Sequence, residues 1–407
     1  MIESITIGTF RSLFDGDEAF AVIDPREASD FNSNHLLAAS SLPLSRLQSL
    51  IAAAVPRHDT LCVLCDTGEG EARSAAELLQ TLGYTRLAVL DGGIAAWEAG
   101  GGKLFSGSSV PGKAFGEFVE KSCATPAMTA AELHQRQLRN EATLLIDSRT
   151  AEEHESYCIP GAILCPGAEL VYRVLPIVNA DTEVVVHCGG RTRSIIGAQT
   201  LIDAGCSRVH ALENGTMAWQ FEGLELEHGN SEALAHPDSK SLILIRAIAD
   251  QLAERWHIDR IDSIAAREQR NRYLIDVRGR EEFESGHIPG SMHVPGGHLL
   301  QNVDRYLVVR NSVVILIDSD WVRSVTTAVW LRRMGWRRVY VFTIDSGYDD
   351  LLSGPGIGDE PLEDRDLDPA DYADHEALMR ENRAYLEWEI ALFDKLSGEP
   401  AAPYMDA

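Results

Sequence analysis

One short stretch carries most of the chemistry this sequence can do: Val186-His187-Cys188-Gly189-Gly190-Arg191-Thr192-Arg193-Ser194. An apolar strand signal precedes it. A helical period follows it, with Ile195, Ile196, Ala198, Leu201 and Ile202 on one face. Gly189 and Gly190 let the backbone curl, so the N–H groups of residues 189–193 can point into one concavity. That concavity opens a helix, whose N-terminal dipole also favours negative charge. A cysteine placed there beside two arginines is expected to have a depressed pKa and to be a nucleophile with an anion site around it. Gly189, Gly190, Arg191, Thr192 and Arg193 are therefore the expected substrate-binding residues, and Cys188 the catalytic one.

Blander roles compete for some of these residues. Arg191 and Arg193 could instead pair with surplus acid. Asp147, an accessory candidate, ends its strand with an arginine two residues on, which suits a salt bridge or turn cap better than catalysis. Arg173 lies in a segment that could fold over the pocket and is a further substrate-contact candidate. His187 alternates away from Cys188 along the strand and reads as packing. Cys158 and Cys165 read as buried structural thiols, with a resolving role for either as the alternative.

The elements that must hold this loop recur three times. Ile146-Asp147-Ser148-Arg149 repeats Ile23-Asp24-Pro25-Arg26 and returns as Ile275-Asp276-Val277-Arg278. Each ends a short apolar run. A second strand signal, a loop, a helical period, a third strand signal and a Gly-containing turn then follow (Asp91-Gly92-Gly93, Glu213-Asn214-Gly215, Asp345-Ser346-Gly347). This alternation predicts an α/β fold of three tandem domains, each a parallel sheet flanked by helices, with chemistry at the carboxyl ends of the strands. The expected units are residues 1–108, 122–228 and 241–353, the last beginning with a helix over Ser241 to Ile258. An acidic linker and a C-terminal helix occupy 354–407. That helix, roughly His375 to Lys395, is amphipathic and is expected to pack on the third domain.

The loop does not survive equally in the three copies. In the first, Cys65 stands as far from Asp24 as Cys188 does from Asp147, but its loop is longer and contains Asp66, Glu69 and Glu71. Negative neighbours raise a thiol's pKa, so Cys65 is a doubtful nucleophile and at most an accessory. In the third copy Asp318 replaces the cysteine, and that domain is expected to be catalytically silent.

The Cys-Gly-Gly-Arg-Thr-Arg loop, the upstream Ile-Asp-Ser-Arg, Ile159-Pro160-Gly161-Ala162 and Glu213-Asn214-Gly215-Thr216-Met217-Ala218-Trp219 resemble the rhodanese homology domain of sulfurtransferases. The resemblance implies a sulfur relay. Cys188 would take sulfane sulfur from an anionic donor such as thiosulfate, hold it as a persulfide and pass it to a thiol or cyanide. It also implies that Arg191 and Arg193 meet the donor's sulfonate. A sulfur carrier or scaffold for a partner enzyme is the alternative. Related phosphatases and arsenate reductases place five residues between Cys and Arg, whereas four separate Cys188 from Arg193.

Composition narrows the partners. The chain of 407 residues has 36 Lys+Arg against 62 Asp+Glu, a net charge of −26, which argues against nucleic acid or an anionic membrane surface as the main partner. Seven cysteines, an odd number and all within the first 206 residues, do not read as a disulfide framework and fit a reducing compartment. Without a recognisable signal segment or apolar span, the chain reads as cytoplasmic. No metal-ligand spacing or nucleotide-binding loop is present, so neither metal nor cofactor is expected.

Overall fold

The computed structural model describes residues 2–262, 272–344, 350–356 and 374–405. The three apolar runs form strands Phe20–Asp24, Thr143–Asp147 and Arg272–Asp276. Each lies parallel to the second strand of its own repeat, namely Leu61–Leu64, Glu183–His187 or Val313–Asp318. These central strands are almost wholly buried because helices cover both faces, which is why they read as continuous apolar runs rather than alternating ones.

The second sheet runs Ala127–Met128, Val209–Leu212, Glu183–His187, Thr143–Asp147 and Ile163–Leu164, all parallel. The third repeats that order from Asp259–Arg260 to Met292–His293. The first sheet follows the same plan, and its edge gains Val309–Arg310 from the third repeat, antiparallel to Phe20 and Ala21.

An aspartate ends the first long strand of each sheet for a structural reason. Asp24, Asp147 and Asp276 each accept hydrogen bonds from the arginine two residues on. The same guanidinium reaches the carbonyl of Asn34, Tyr157 or Gly286, the residue that ends the following helix. One buried ion pair thus satisfies a helix-end carbonyl and fixes the strand-to-helix turn. Asp147 belongs to this framework.

Two helices join the repeats. Val110–Cys123 packs on Thr192–Asp203, and Ser239–Trp256 packs on Val322–Arg333. The second and third repeats also meet directly, Trp330 Nε1 donating to Thr200 Oγ1 at 2.7 Å. Val110–Cys123 approaches the third repeat so closely that a Cβ on Gly112 would lie 2.1 Å from the Gln301 carbonyl oxygen. Backbone cannot yield there as a side-chain tip can. Gly112→Ala is expected to destabilise the chain by about 1–3 kcal/mol, read as a lower thermal midpoint.

The C-terminal helix His375–Lys395 corrects an expectation. It packs on Val110–Cys123 and on Gly215–Phe221 of the second repeat, not on the third. The residues after it do touch the third repeat, where Arg310 donates to the Ala401 carbonyl and Pro403 lies over Gly335. The turn Asp345-Ser346-Gly347 and most of the acidic linker lie outside the described residues. Among the described residues no helix is long and apolar enough to cross a membrane.

Candidate active site

Cys188 follows the central strand Glu183–His187 and is 2% exposed. Its Sγ lies 3.6 Å from Ser194 Oγ, in the first turn of helix Thr192–Asp203. The loop carbonyls are drawn to neighbouring groups. Cys188 O accepts from Thr216 N at 3.0 Å, and Gly189 O accepts from Met217 N and Thr216 Oγ1, both at 3.2 Å. Arg191 O accepts from Ser194 Oγ at 2.8 Å. This arrangement requires Gly215, which has φ +51°, because a Cβ there would sit 2.2 Å from the Cys188 carbonyl oxygen.

Both loop arginines are committed to ion pairs. Arg191 Nε donates to Glu117 Oε1 at 2.6 Å and Nη2 to Glu117 Oε2 at 3.0 Å; Nη2 also reaches Glu120, and Nη1 reaches Asn214 Oδ1. Burial pushes the Glu117 carboxyl upward, against the hydrogen bonds and charge of Arg191. Arg193 makes a two-pronged bond to Glu153 at 2.6 and 2.7 Å. Burial opposes ionisation of Glu153, but the guanidinium outweighs it and brings the carboxyl down to about 2.

The C-terminal helix closes over this loop. Thr192 Oγ1 donates to Glu389 Oε1 at 2.7 Å. A Cβ on Gly190 would lie 3.4 Å from Glu389 Oε2, 3.5 Å from Tyr385 Cε1 and 3.9 Å from Leu386 Cδ2. Lys113 stands over the rings of Tyr385 and Trp388, with Nζ 5.2 and 5.3 Å from their centroids.

Comparison with known proteins identifies the scaffold. Residues 6–100, 129–222 and 257–352 each match the Rhodanese-like domain family. The chain belongs to that family. The crystal structure of a thiosulfate sulfurtransferase from Pseudomonas aeruginosa is 40% identical and superposes with a TM-score of 0.84, covering 89% of this chain and 70% of that one. A sulfurtransferase of Allochromatium vinosum is 34% identical over 94 residues, which are 23% of this chain and 87% of that protein. An HTH-type transcriptional regulator of Mycobacterium tuberculosis is 36% identical over 105 residues, 25% of this chain. The match spans 45% of that regulator's length, less than half.

In the other two rhodanese-like domains, backbone N–H groups of the corresponding loop are taken by carboxylates of that loop. In the first, the Asp66 carboxylate accepts from the N–H groups of Gly68, Gly70 and Ala72 at 2.8, 3.1 and 2.9 Å. In the third, Asp318 accepts from Trp321 N and Ser324 N, both at 3.0 Å, while Asp320 accepts from Val322 N and Arg323 N. Each of these cradles is filled by a carboxylate of its own loop. The second rhodanese-like domain has no acidic residue between Cys188 and Ser194.

The third rhodanese-like repeat holds a counterpart of one loop arginine. Arg323, five residues after Asp318, grips Glu282 at 2.5 and 2.8 Å just as Arg193 grips Glu153, and holds Glu282 down to about 2 against its burial. A pair that persists where there is no cysteine is part of the scaffold. Arg191 and Arg193, the expected sulfonate contacts, both stand in buried ion pairs in this structure. Arg173 is likewise engaged elsewhere, with Glu169, the Leu234 carbonyl and His236 Nε2.

The remaining predicted residues fall as follows. His187 is buried against Asp147, 3.8 Å from its Oδ2, and burial lowers it to about 4, so it packs as a neutral ring. Cys65 is fully buried with Sγ 3.7 Å from the Ile23 carbonyl; burial, then Asp24, push its thiol well above the ordinary range, with Asp66 adding to them. Cys158 and Cys165 are buried too, the former pushed up to about 11 by burial. Cys65→Ala is accordingly expected to change sulfur-transfer turnover by less than about twofold, measured at saturating donor. Glu117 and Glu389 escaped the sequence reading, because no local spacing links them to the loop they touch.

Proposed function

We propose that this chain is a sulfurtransferase in which Cys188 carries sulfane sulfur as a persulfide from a small donor to a thiophilic acceptor, a thiol or cyanide. One contrast carries the reading. The same loop occurs three times, and only in the second does it combine a thiol with a cradle free of acidic residues of its own. Cys188 thiolate attacks the outer sulfur of thiosulfate, the S–S bond breaks, and sulfite leaves with the bonding pair. The acceptor then takes the outer sulfur, and Cys188 departs as thiolate. The loop N–H groups and the helix N-terminus stabilise the anionic sulfur at each stage. The activity named for the Pseudomonas aeruginosa relative supports thiosulfate as a usable donor.

The test is donor treatment followed by peptide mass mapping. One added sulfur on the Cys188 peptide, removed by cyanide, is the expected result; sulfur on another cysteine, or on none, overturns the assignment. A sulfur carrier for a partner enzyme is the second reading, favoured by the helix that covers the loop. A carrier would load stoichiometrically yet turn over poorly with cyanide.

A further inference from the structure

The C-terminal helix brings to the loop a group that no sulfur-transfer step described above uses. Glu389 is 1% exposed. One carboxyl oxygen is held by Thr192 Oγ1 at 2.7 Å. The other, Oε2, has no hydrogen-bond partner among the described residues and is aimed at Gly190, two residues from the nucleophile. A buried carboxyl oxygen left unpaired is costly, and such atoms cluster where a ligand or proton completes them.

The surrounding charges do not cancel it. From Val110–Cys123 it faces Lys113 and Glu117, and from the loop Arg191. Arg191 is already shared between Glu117 and Glu120, and Lys113 Nζ donates to the Ser108 carbonyl while facing Tyr385 and Trp388 of Glu389's own helix. Arg193, the other loop cation, is taken by Glu153. An anion seated on the loop at Gly190 would therefore lie beside this carboxyl group, with Arg191 and Arg193 already engaged by Glu117, Glu120 and Glu153.

We propose that Glu389 determines donor specificity at the Cys188 site, its carboxylate disfavouring a doubly charged donor such as thiosulfate relative to a neutral or singly charged alkyl hydropersulfide. The proposal rests on Cys188 being the sulfur-carrying residue. With the hydropersulfide R–S–SH, Cys188 thiolate attacks the outer sulfur, the S–S bond breaks and R–S⁻ leaves, giving Cys188–S–SH. Charge is conserved, and no dianion enters the space beside Glu389. Thiosulfate brings two negative charges to the same place and releases sulfite, itself a dianion, so it is favoured when Glu389 is protonated. Burial pushes this carboxyl up to about 7, which places the change near neutrality.

The test compares kcat/KM for thiosulfate and for an uncharged-alkyl hydropersulfide across pH. Their ratio cancels the titration of Cys188, which both donors share, once the hydropersulfide's own ionisation, titrated free in solution, is divided out. In the unaltered protein the ratio of thiosulfate to hydropersulfide should rise as pH falls through neutrality, because protonation removes the repelling charge. Glu389→Gln should raise thiosulfate kcat/KM above neutrality by about tenfold, chiefly through KM, and flatten the profile. Glu389→Asp should keep the slope. The profile of the unaltered protein tests the proposal even if the glutamine variant does not fold. A ratio independent of pH, or a glutamine variant whose donor preference matches the parent, overturns it. Mass mapping separates the two levels: Cys188 loaded by both donors with no pH-dependent preference removes the role of Glu389 alone, whereas no loading by either removes the Cys188 reading with it.

Discussion

Cys188→Ser should abolish sulfane transfer, lowering thiosulfate-to-cyanide turnover by at least about a thousandfold when assayed on the acid side of neutrality. A serine hydroxyl is not ionised near neutral pH and forms no counterpart of a persulfide, so the relay loses its carrier. Of the other six thiols, Cys62, Cys65, Cys158 and Cys165 are buried, and Cys123 and Cys206 lie outside any of the three strand-to-helix loops. Cys65, Cys158 and Cys165 are all pushed toward the protonated form. The cradle of the first domain is held by Asp66 and that of the third by Asp318, which burial and Asp320 raise to about 7. The substitution itself is nearly isosteric, so the thermal midpoint should stay close to that of the parent. Turnover that persists after Cys188→Ser would move the chemistry to another residue and end the single-site reading.

Much of this arrangement was legible in the residues, for identifiable reasons. Strands buried on both faces write themselves as apolar runs, and the aspartate–arginine clamp is a two-residue spacing that survives all three repeats. The loop around Cys188 is equally local, so its strand, its glycines and its helix could be placed without coordinates. What failed was long-range. Glu117 precedes the second repeat and Glu389 lies in the last helix, yet both bond to residues of one short loop. Amphipathic period tells which face of His375–Lys395 is buried but not what buries it. The repeats also conceal a paired exchange. Phe31 stacks on His35 and Phe283 on His287, whereas the matching positions in the second domain are His154 and Cys158. His154 Nδ1 there lies 3.0 Å from Asp147 Oδ2, so the domain carrying Cys188 has a more polar support beneath the loop than its neighbours.

The second large effect concerns Arg191, whose two readings make opposite demands. If its guanidinium served a sulfonate, Arg191→Met would raise the KM for thiosulfate and leave stability nearly unchanged. The structure predicts the reverse. Arg191 is buried, Glu117 is fully buried, and their two-pronged bond leaves Arg191 little to offer a ligand. Removing the arginine strands Glu117 as an unpaired buried carboxylate, which costs about 3–5 kcal/mol and should lower the thermal midpoint by on the order of 10 °C. Arg191→Lys should recover little, because an ammonium cannot make the paired bond. Adding Glu117→Gln to Arg191→Met should restore much of the loss, since the stranded charge is then gone. The same calculation applies to pH. Glu117 is raised in the folded chain by burial, so without Arg191 it rises further, and the variant should lose stability as pH climbs through the carboxyl's new value while partly recovering below it. Thermal unfolding of the four proteins, with KM measured well below each midpoint, separates an arginine that holds the loop from one that holds the donor.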